Sequence, residues 1–118
     1  MVLSLLACFG IVDDKLERIV EHLLERQMKD GGWNCRLPYG ATHASFHTTI
    51  LVLEGLRAYE KFSPKLRREA RQAQARGREF LLVHRLFRSH RTGEIVKPVM
   101  LRFAFPPRWH YDVLRALD

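Results

Sequence analysis

Only two cysteines, Cys8 and Cys35, occur in the 118 residues, and that scarcity excludes a disulfide-stapled fold. Long apolar runs are missing as well. The most apolar opening, residues 1–9, lacks a basic leading segment and is far shorter than a bilayer requires, so no transmembrane segment or secretion signal is expected. The cytoplasm is the expected compartment. Acidic residues number 13 against 20 Lys and Arg, giving a net charge of +7, which speaks to solubility and non-specific attraction rather than to fold. There is no Cys-x-x-Cys pair, no phosphate-cradling glycine loop and no complete nucleophile triad. With 47% of residues hydrophobic, neither disorder nor a membrane span fits, and the length suits one globular unit or a piece of a larger one.

What is present reads as helix after helix. Gly10 stands where helices commonly end in αL, and Asp13 or Asp14 opens the next helix, with Glu17 three residues beyond Asp14 as a capping box. From Leu16 the apolar residues fall at Ile19, Val20, Leu23, Leu24 and Met28, the stripe of a half-buried helix. That helix runs into the most informative stretch of the chain, Gln27-Met28-Lys29-Asp30-Gly31-Gly32-Trp33. Asp30, Gly31 and Gly32 allow positive φ and an abrupt reversal; Gln27 can bond backbone groups orphaned at a helix end; Trp33 is an apolar plate that covers the corner. Pro38 and Gly40 make 34–42 a loop.

The segment 45–62 carries Phe46, Ile50, Leu51, Val52, Leu53, Leu56, Tyr59 and Phe62 most of the way round, as a helix buried on several sides does. Ser63-Pro64 supplies an N-cap and a first-turn proline, predicting a third helix to Phe87. Its stripe of Leu66, Ala70, Ala73, Gly77, Phe80, Leu81 and Leu86 is small in the middle, where a neighbour can approach. A second corner is expected at 89–93, then an irregular connection over 94–107 in which Leu101, Phe103 and Phe105 alternate as an extended piece. Pro106 and Pro107 precede a final helix with Trp109, Val113, Leu114 and Leu117 on one side. Leu23 and Leu82, and likewise Leu53 and Leu114, recur about sixty residues apart, so corners and apolar helices take corresponding places in two units, 11–62 and 63–118. Repeated helix hairpins bury their faces only against neighbours. Because the sequence starts and stops within helical patterns, the expectation is a fragment of a longer ring or a chain that self-associates.

Three polar groupings carry candidate chemistry. Cys35, His43 and His47 offer thiolate and imidazole ligands to zinc, with the two histidines four apart on a helix; the competing reading is ordinary histidines at a helix start and a buried free thiol. Glu54 stands on an otherwise apolar helix, where a carboxylate either lines a cavity or is paired with an arginine of the next helix. Lys65, Arg67, Arg68, Arg71, Arg76 and Arg78 crowd the third helix, but Glu69 and Glu79 interrupt them and no nucleic-acid motif accompanies them. A solvated outer face is expected there, not a nucleic-acid surface.

The corner resembles the glutamine-tryptophan (QW) repeat of the terpenoid cyclase and protein prenyltransferase superfamily, whose pattern Gln-x-x-x-Gly-x-Trp is met by Gln27, Gly31 and Trp33. Arg18 suits the basic position upstream, whereas Ile19 and His22 depart from the usual small and aromatic residues. The unit around Arg85 has lost the glutamine and the tryptophan. The blocks from His43 to Glu54 and from Pro106 to Asp112 are also similar to those of uncharacterised bacterial proteins with prenyltransferase or squalene-oxidase repeats. The resemblance implies an all-α, incomplete α/α toroid of alternating outer and inner helices, and a lumen for an isoprenoid-like or other hydrophobic small molecule. It does not supply a catalyst: the Asp-x-Asp-Asp acid and the aspartate-rich magnesium site of those enzymes are absent, and Asp30 and Cys35 are spaced wrongly for their zinc ligands. In such a ring Glu54, His110 and Asp112 are the candidates for acid or base work, and His47, Trp109 and Tyr111 for ligand contact. Asp112 and Arg108 are alternatively a pair that fastens helices together. The leading expectation is a toroid segment of a protein that binds or acts on an isoprenoid. A zinc-dependent enzyme using Cys35, His43 and His47 and a non-catalytic structural or interaction repeat stand beside it.

Overall fold

A computed structural model describes residues 3, 5–6, 9–10, 13–103, 105–106 and 110–118. They form an all-α arrangement of α1 (Asp14–Glu25), α2 (Phe46–Phe62), α3 (Arg67–Val83) and a short α4 (Val113–Leu117), with 3₁₀ turns at Leu37–Tyr39 and Pro98–Leu101. Leu3, Leu5 and Leu6 are also helical, and Gly10 takes the expected left-handed φ of 66°. The one pairing of β type among the described residues is an isolated bridge between Arg88 and Ile95. Among the described residues no helix is long and apolar enough to cross a membrane.

Helix α1 starts at Asp13, whose Oδ1 accepts from the backbone N–H of Lys15 at 3.0 Å and of Leu16 at 3.1 Å. With Asp13 as the cap, the box expected between Asp14 and Glu17 is not formed; Glu17 pairs with Lys65 instead. Leu16 and Val20 are buried, with Ile19, Leu23 and Leu24 packed at the margin of the core.

Helix α2 is the central element. Ser45 caps it, and Phe46, Thr49, Ile50, Val52, Leu53, Gly55, Leu56 and Tyr59 are buried, so more than one face is covered. It forms an antiparallel hairpin with α3, in which Phe46 lies against Phe80, Leu53 against Gly77, and Glu60 against Arg71 and Gln74. A Cβ at Gly77 would lie 2.9 Å from both Leu53 and Trp33, so the small middle of the α3 stripe is what lets the two helices close on the tryptophan.

The ends of α3 differ from expectation. Ser63 does not open it: Ser63 is buried, its N–H donates to the Tyr59 carbonyl as the closing bond of α2, and the Tyr59 hydroxyl donates to the Lys65 carbonyl. The 63–66 link is thus spent on reversing the chain, and α3 begins only after Leu66, which takes φ 55°. At the other end α3 stops at Val83 rather than Phe87, because Arg85 and Leu86 turn left-handed at φ 48° and 68° and the Leu86 N–H reaches back to the Leu81 carbonyl at 2.8 Å. Beyond Gly93, the extended alternation expected of Leu101, Phe103 and Phe105 is replaced by the 3₁₀ turn. Pro98 opens that turn and Met100 is the residue it sends into the core, leaving Leu101, Phe103 and Phe105 outside. Helix α4 begins at Val113. Leu114 and Leu117, expected to pack inward, are 57% and 68% exposed, and Trp109, Arg108 and Pro107 lie outside the described residues.

Candidate functional site

The 27–33 corner is built as a clamp on three helices. The backbone closes on itself first, with the Gly31 N–H donating to the Met28 carbonyl and the Met28 N–H to the Gly32 carbonyl, each at 2.9 Å. Gly31 takes φ 97° and abuts α3: a Cβ there would stand 2.5 Å from the Arg76 carbonyl oxygen. Gly32 is required for space instead, since its Cβ would come within 2.6 Å of Ala44 and of the Thr49 hydroxyl. The Gln27 Nε2 donates to the Gly31 carbonyl at 2.7 Å and, across the interface, to the Ala73 carbonyl within α3 at 2.8 Å. The carbonyl at the end of α1 is served by Trp33, whose indole N–H donates to Leu23 at 2.7 Å, while its backbone N–H donates to the Thr49 hydroxyl on α2 at 3.0 Å. Asp30 caps the reversal, its Oδ2 accepting from the Ala44 N–H at 2.8 Å. With Gln27 and Asp30 bonded to backbone groups and Trp33 buried, these side chains of the corner serve the fold.

The expected zinc set is not assembled. Helix α2 begins at Phe46, so His43 precedes the cap and does not share a helical face with His47. His43 is exposed beside Thr42, Cys35 is an exposed free thiol, and the Nδ1 of His47 accepts from the Tyr111 N–H at 2.9 Å. Among the described residues no group of three His, Cys, Asp or Glu side chains is placed to hold a metal ion.

Several of the remaining candidates do come together, where residues 110–118 lie along α2. Glu54 forms a two-pronged ion pair with Arg115, Oε1 to Nε and Oε2 to Nη2, each at 2.6 Å. The pairing expected with an arginine of the next helix is therefore made with one further on. Arg115 also donates to the His110 carbonyl at 3.0 Å, and the His110 ring lies 6.5 Å from that of His47. Asp112 is buried and caps α4, its Oδ1 accepting from the Arg115 N–H at 2.8 Å. Tyr111, expected at a ligand, is instead core: its ring packs 5.2 Å from Phe46, its hydroxyl donates to the Leu86 carbonyl at 2.6 Å, and burial pushes the phenol's pKa up. Glu54 and Asp112 are thus occupied by structural partners, and His110 is the most exposed of the three acid–base candidates.

Arg115 is the residue of this cluster that local sequence patterns miss, although one signal for it exists. Glu54 and Arg115 are 61 positions apart, the same interval that relates Leu53 to Leu114, so opposite charges occupy matching places. Beside this pair opens a hollow of about 730 Å³ walled by Phe103, Phe105, Leu114 and Leu117, with Glu54, Asp112, Arg115 and Asp118 at its polar side. Its volume falls in the range of about 300–1,000 Å³ typical of small-molecule sites. The basic residues of the third helix are largely engaged within the fold: Lys65 with Glu17, Arg71 with Glu60, Arg78 with the Gln74 side chain and Arg76 with the Met28 carbonyl.

These features define the class as an all-α hairpin assembly with a lateral apolar hollow. No family model, curated protein or solved structure matches the chain.

Proposed function

We propose that the chain is a toroid-type helical segment, with units 11–62 and 63–118, that binds an apolar, isoprenoid-like molecule in the hollow that Glu54 of α2 lines together with Phe103, Phe105, Leu114 and Leu117. The observation that carries this reading is the wall of Phe103, Phe105, Leu114 and Leu117, which are 68%, 98%, 57% and 68% exposed and gathered on one concavity. Contiguous apolar surface left open in this way marks binding sites on otherwise polar proteins. The Glu54–Arg115 pair beside it is a neutral polar group suited to a hydroxyl head. The 27–33 clamp supports the toroid reading, because it gives the glutamine and tryptophan of the resembled motif separate structural partners.

Binding rather than turnover is the activity proposed. Glu54 and Asp112 are committed to Arg115 and the α4 cap, and no activated nucleophile faces the hollow among the described residues. Calorimetric titration with farnesol tests the reading: saturable binding that Leu114→Asp and Phe103→Asp each weaken at least tenfold is expected. Absence of binding, or binding indifferent to both substitutions, removes it.

A further inference from the structure

Residues 110–118 are tied to the rest of the fold by a few polar links, and one of them depends on a titrating atom. The Tyr111 N–H belongs to a nearly fully buried residue and donates to the Nδ1 of His47 at 2.9 Å. A backbone N–H can only donate, so Nδ1 must be unprotonated and the proton of the neutral ring sits on Nε2. We infer that residues 110–118 are an acid-loosened strap: protonation of His47 at Nδ1 removes the acceptor of the Tyr111 N–H, weakens the strap's hold on α2 and loosens the wall that Leu114 and Leu117 give the hollow.

The direction of the pH effect comes from counting protons. The docked strap holds Nδ1 bare, whereas the released strap lets His47 take up a proton, so acid favours release and neutral pH favours docking. The ratio of released to docked strap is flat above about pH 7 and rises about tenfold per pH unit once a free imidazole is protonated, below about pH 6.

The groups around His47 define the alternatives. His110 and Tyr111 face it from the strap, with Asp112 and Arg115 beyond them. Glu54 stands two turns along α2, and from the end of α3 His84, with His90 beside it, packs on the neighbouring Phe46. The Tyr111 phenol stays protonated throughout, so acid does not act through its bond to Leu86. His110 faces His47 with ring centroids 6.5 Å apart and supplies no acceptor to the Tyr111 N–H.

Hydrogen exchange of the Tyr111 amide, expressed as a protection factor so that intrinsic pH dependence cancels, is the test on the full chain from pH 7.5 to 5.0. Protection is expected to fall about tenfold per pH unit below about pH 6, while that of the Trp33 amide holds. His47→Asn retains an acceptor that cannot titrate and flattens the profile, whereas His110→Ala leaves the slope in place. Protection independent of pH, or a slope that survives in His47→Asn, overturns the inference. Should His47→Asn fail to fold by circular dichroism, the ring nitrogens of His47 in the unmodified chain decide: nitrogen resonances showing Nδ1 protonated while Tyr111 remains fully protected contradict it. The consequence for ligand rests on the binding reading above, and farnesol titrations at the same pH values keep the two apart. No binding at any pH removes the binding reading, while the Tyr111 amide alone decides the strap.

Discussion

The two corners of the chain, one at 27–33 and one at 85–93, perform the same topological task by different means. The first is held from three sides: Gln27 reaches α3, Trp33 reaches α1 and α2, and Gly31 and Gly32 let backbones meet at distances that no Cβ tolerates. The second turns through left-handed Arg85 and Leu86 and a bridge from Arg88 to Ile95, and among the described residues it is the Tyr111 hydroxyl, donating to the Leu86 carbonyl, and not a buried tryptophan that fastens it. The segments beyond the two corners differ accordingly. After the first comes a helix buried on several faces; after the second come exposed Ile95, Val96, Val99 and Phe103 and a strap fixed chiefly by Tyr111, Arg115 and Asp118. The first half is tightly clamped, and the more loosely tied second half exposes the apolar surface on which the proposed binding rests.

Substitutions that strike the clamp have the largest expected effects. Trp33→Ala empties a buried site and unties Leu23 and Thr49, at a cost of about 3–5 kcal/mol in urea denaturation, against less than about 0.5 kcal/mol for the exposed Leu117→Ala. Equal losses at the two positions would break the comparison. Gly31→Ala comes next, at roughly 2–4 kcal/mol, because it combines a strained φ with a clash against the Arg76 carbonyl that no side-chain rotation relieves. Arg115→Ala sharpens the contrast from the other side. It lowers global stability by less than about 1 kcal/mol, since Glu54 is partly exposed, yet it raises amide exchange across residues 110–117 while leaving the clamp alone. The smallest effect belongs to Glu60, whose carboxyl is held below its usual range by the hydrogen bond from Arg71, against the opposing cost of burial, with Gln74 and Arg67 assisting. Its lowered pKa contributes stability that is present above the unfolded carboxylate value and is lost as pH falls through the folded one. In Glu60→Gln the fall in stability below about pH 4.5 is therefore shallower, by less than about 1 kcal/mol.

Helices α1 and α2 are legible in the sequence because their apolar spacing is regular and their caps are local: the stripe from Leu16 to Met28 and the Ser45 start both depend on neighbours a turn away. The place of Gly77, where a helix approaches, is legible for the same reason. The start of α3 is not, because Ser63-Pro64 carries a strong start signal that the preceding helix overrides; the Ser63 N–H closes α2 on the Tyr59 carbonyl, and the Tyr59 hydroxyl takes the Lys65 carbonyl. The zinc grouping rests on helical spacing between His43 and His47, and the later start of the helix at Phe46 removes that spacing. Arg115 and the hollow are hidden for a different reason. They depend on contacts about sixty residues apart, and only the recurring interval of the leucines hints at them.

Native-state hydrogen exchange with and without saturating farnesol tests the division of labour most directly. Farnesol is expected to slow exchange across residues 110–117 at least tenfold and to leave the amides of Gly31, Trp33 and Thr49 exchanging at the rate set by global unfolding. Unchanged exchange over 110–117, or protection that appears at the 27–33 corner instead, would contradict that division.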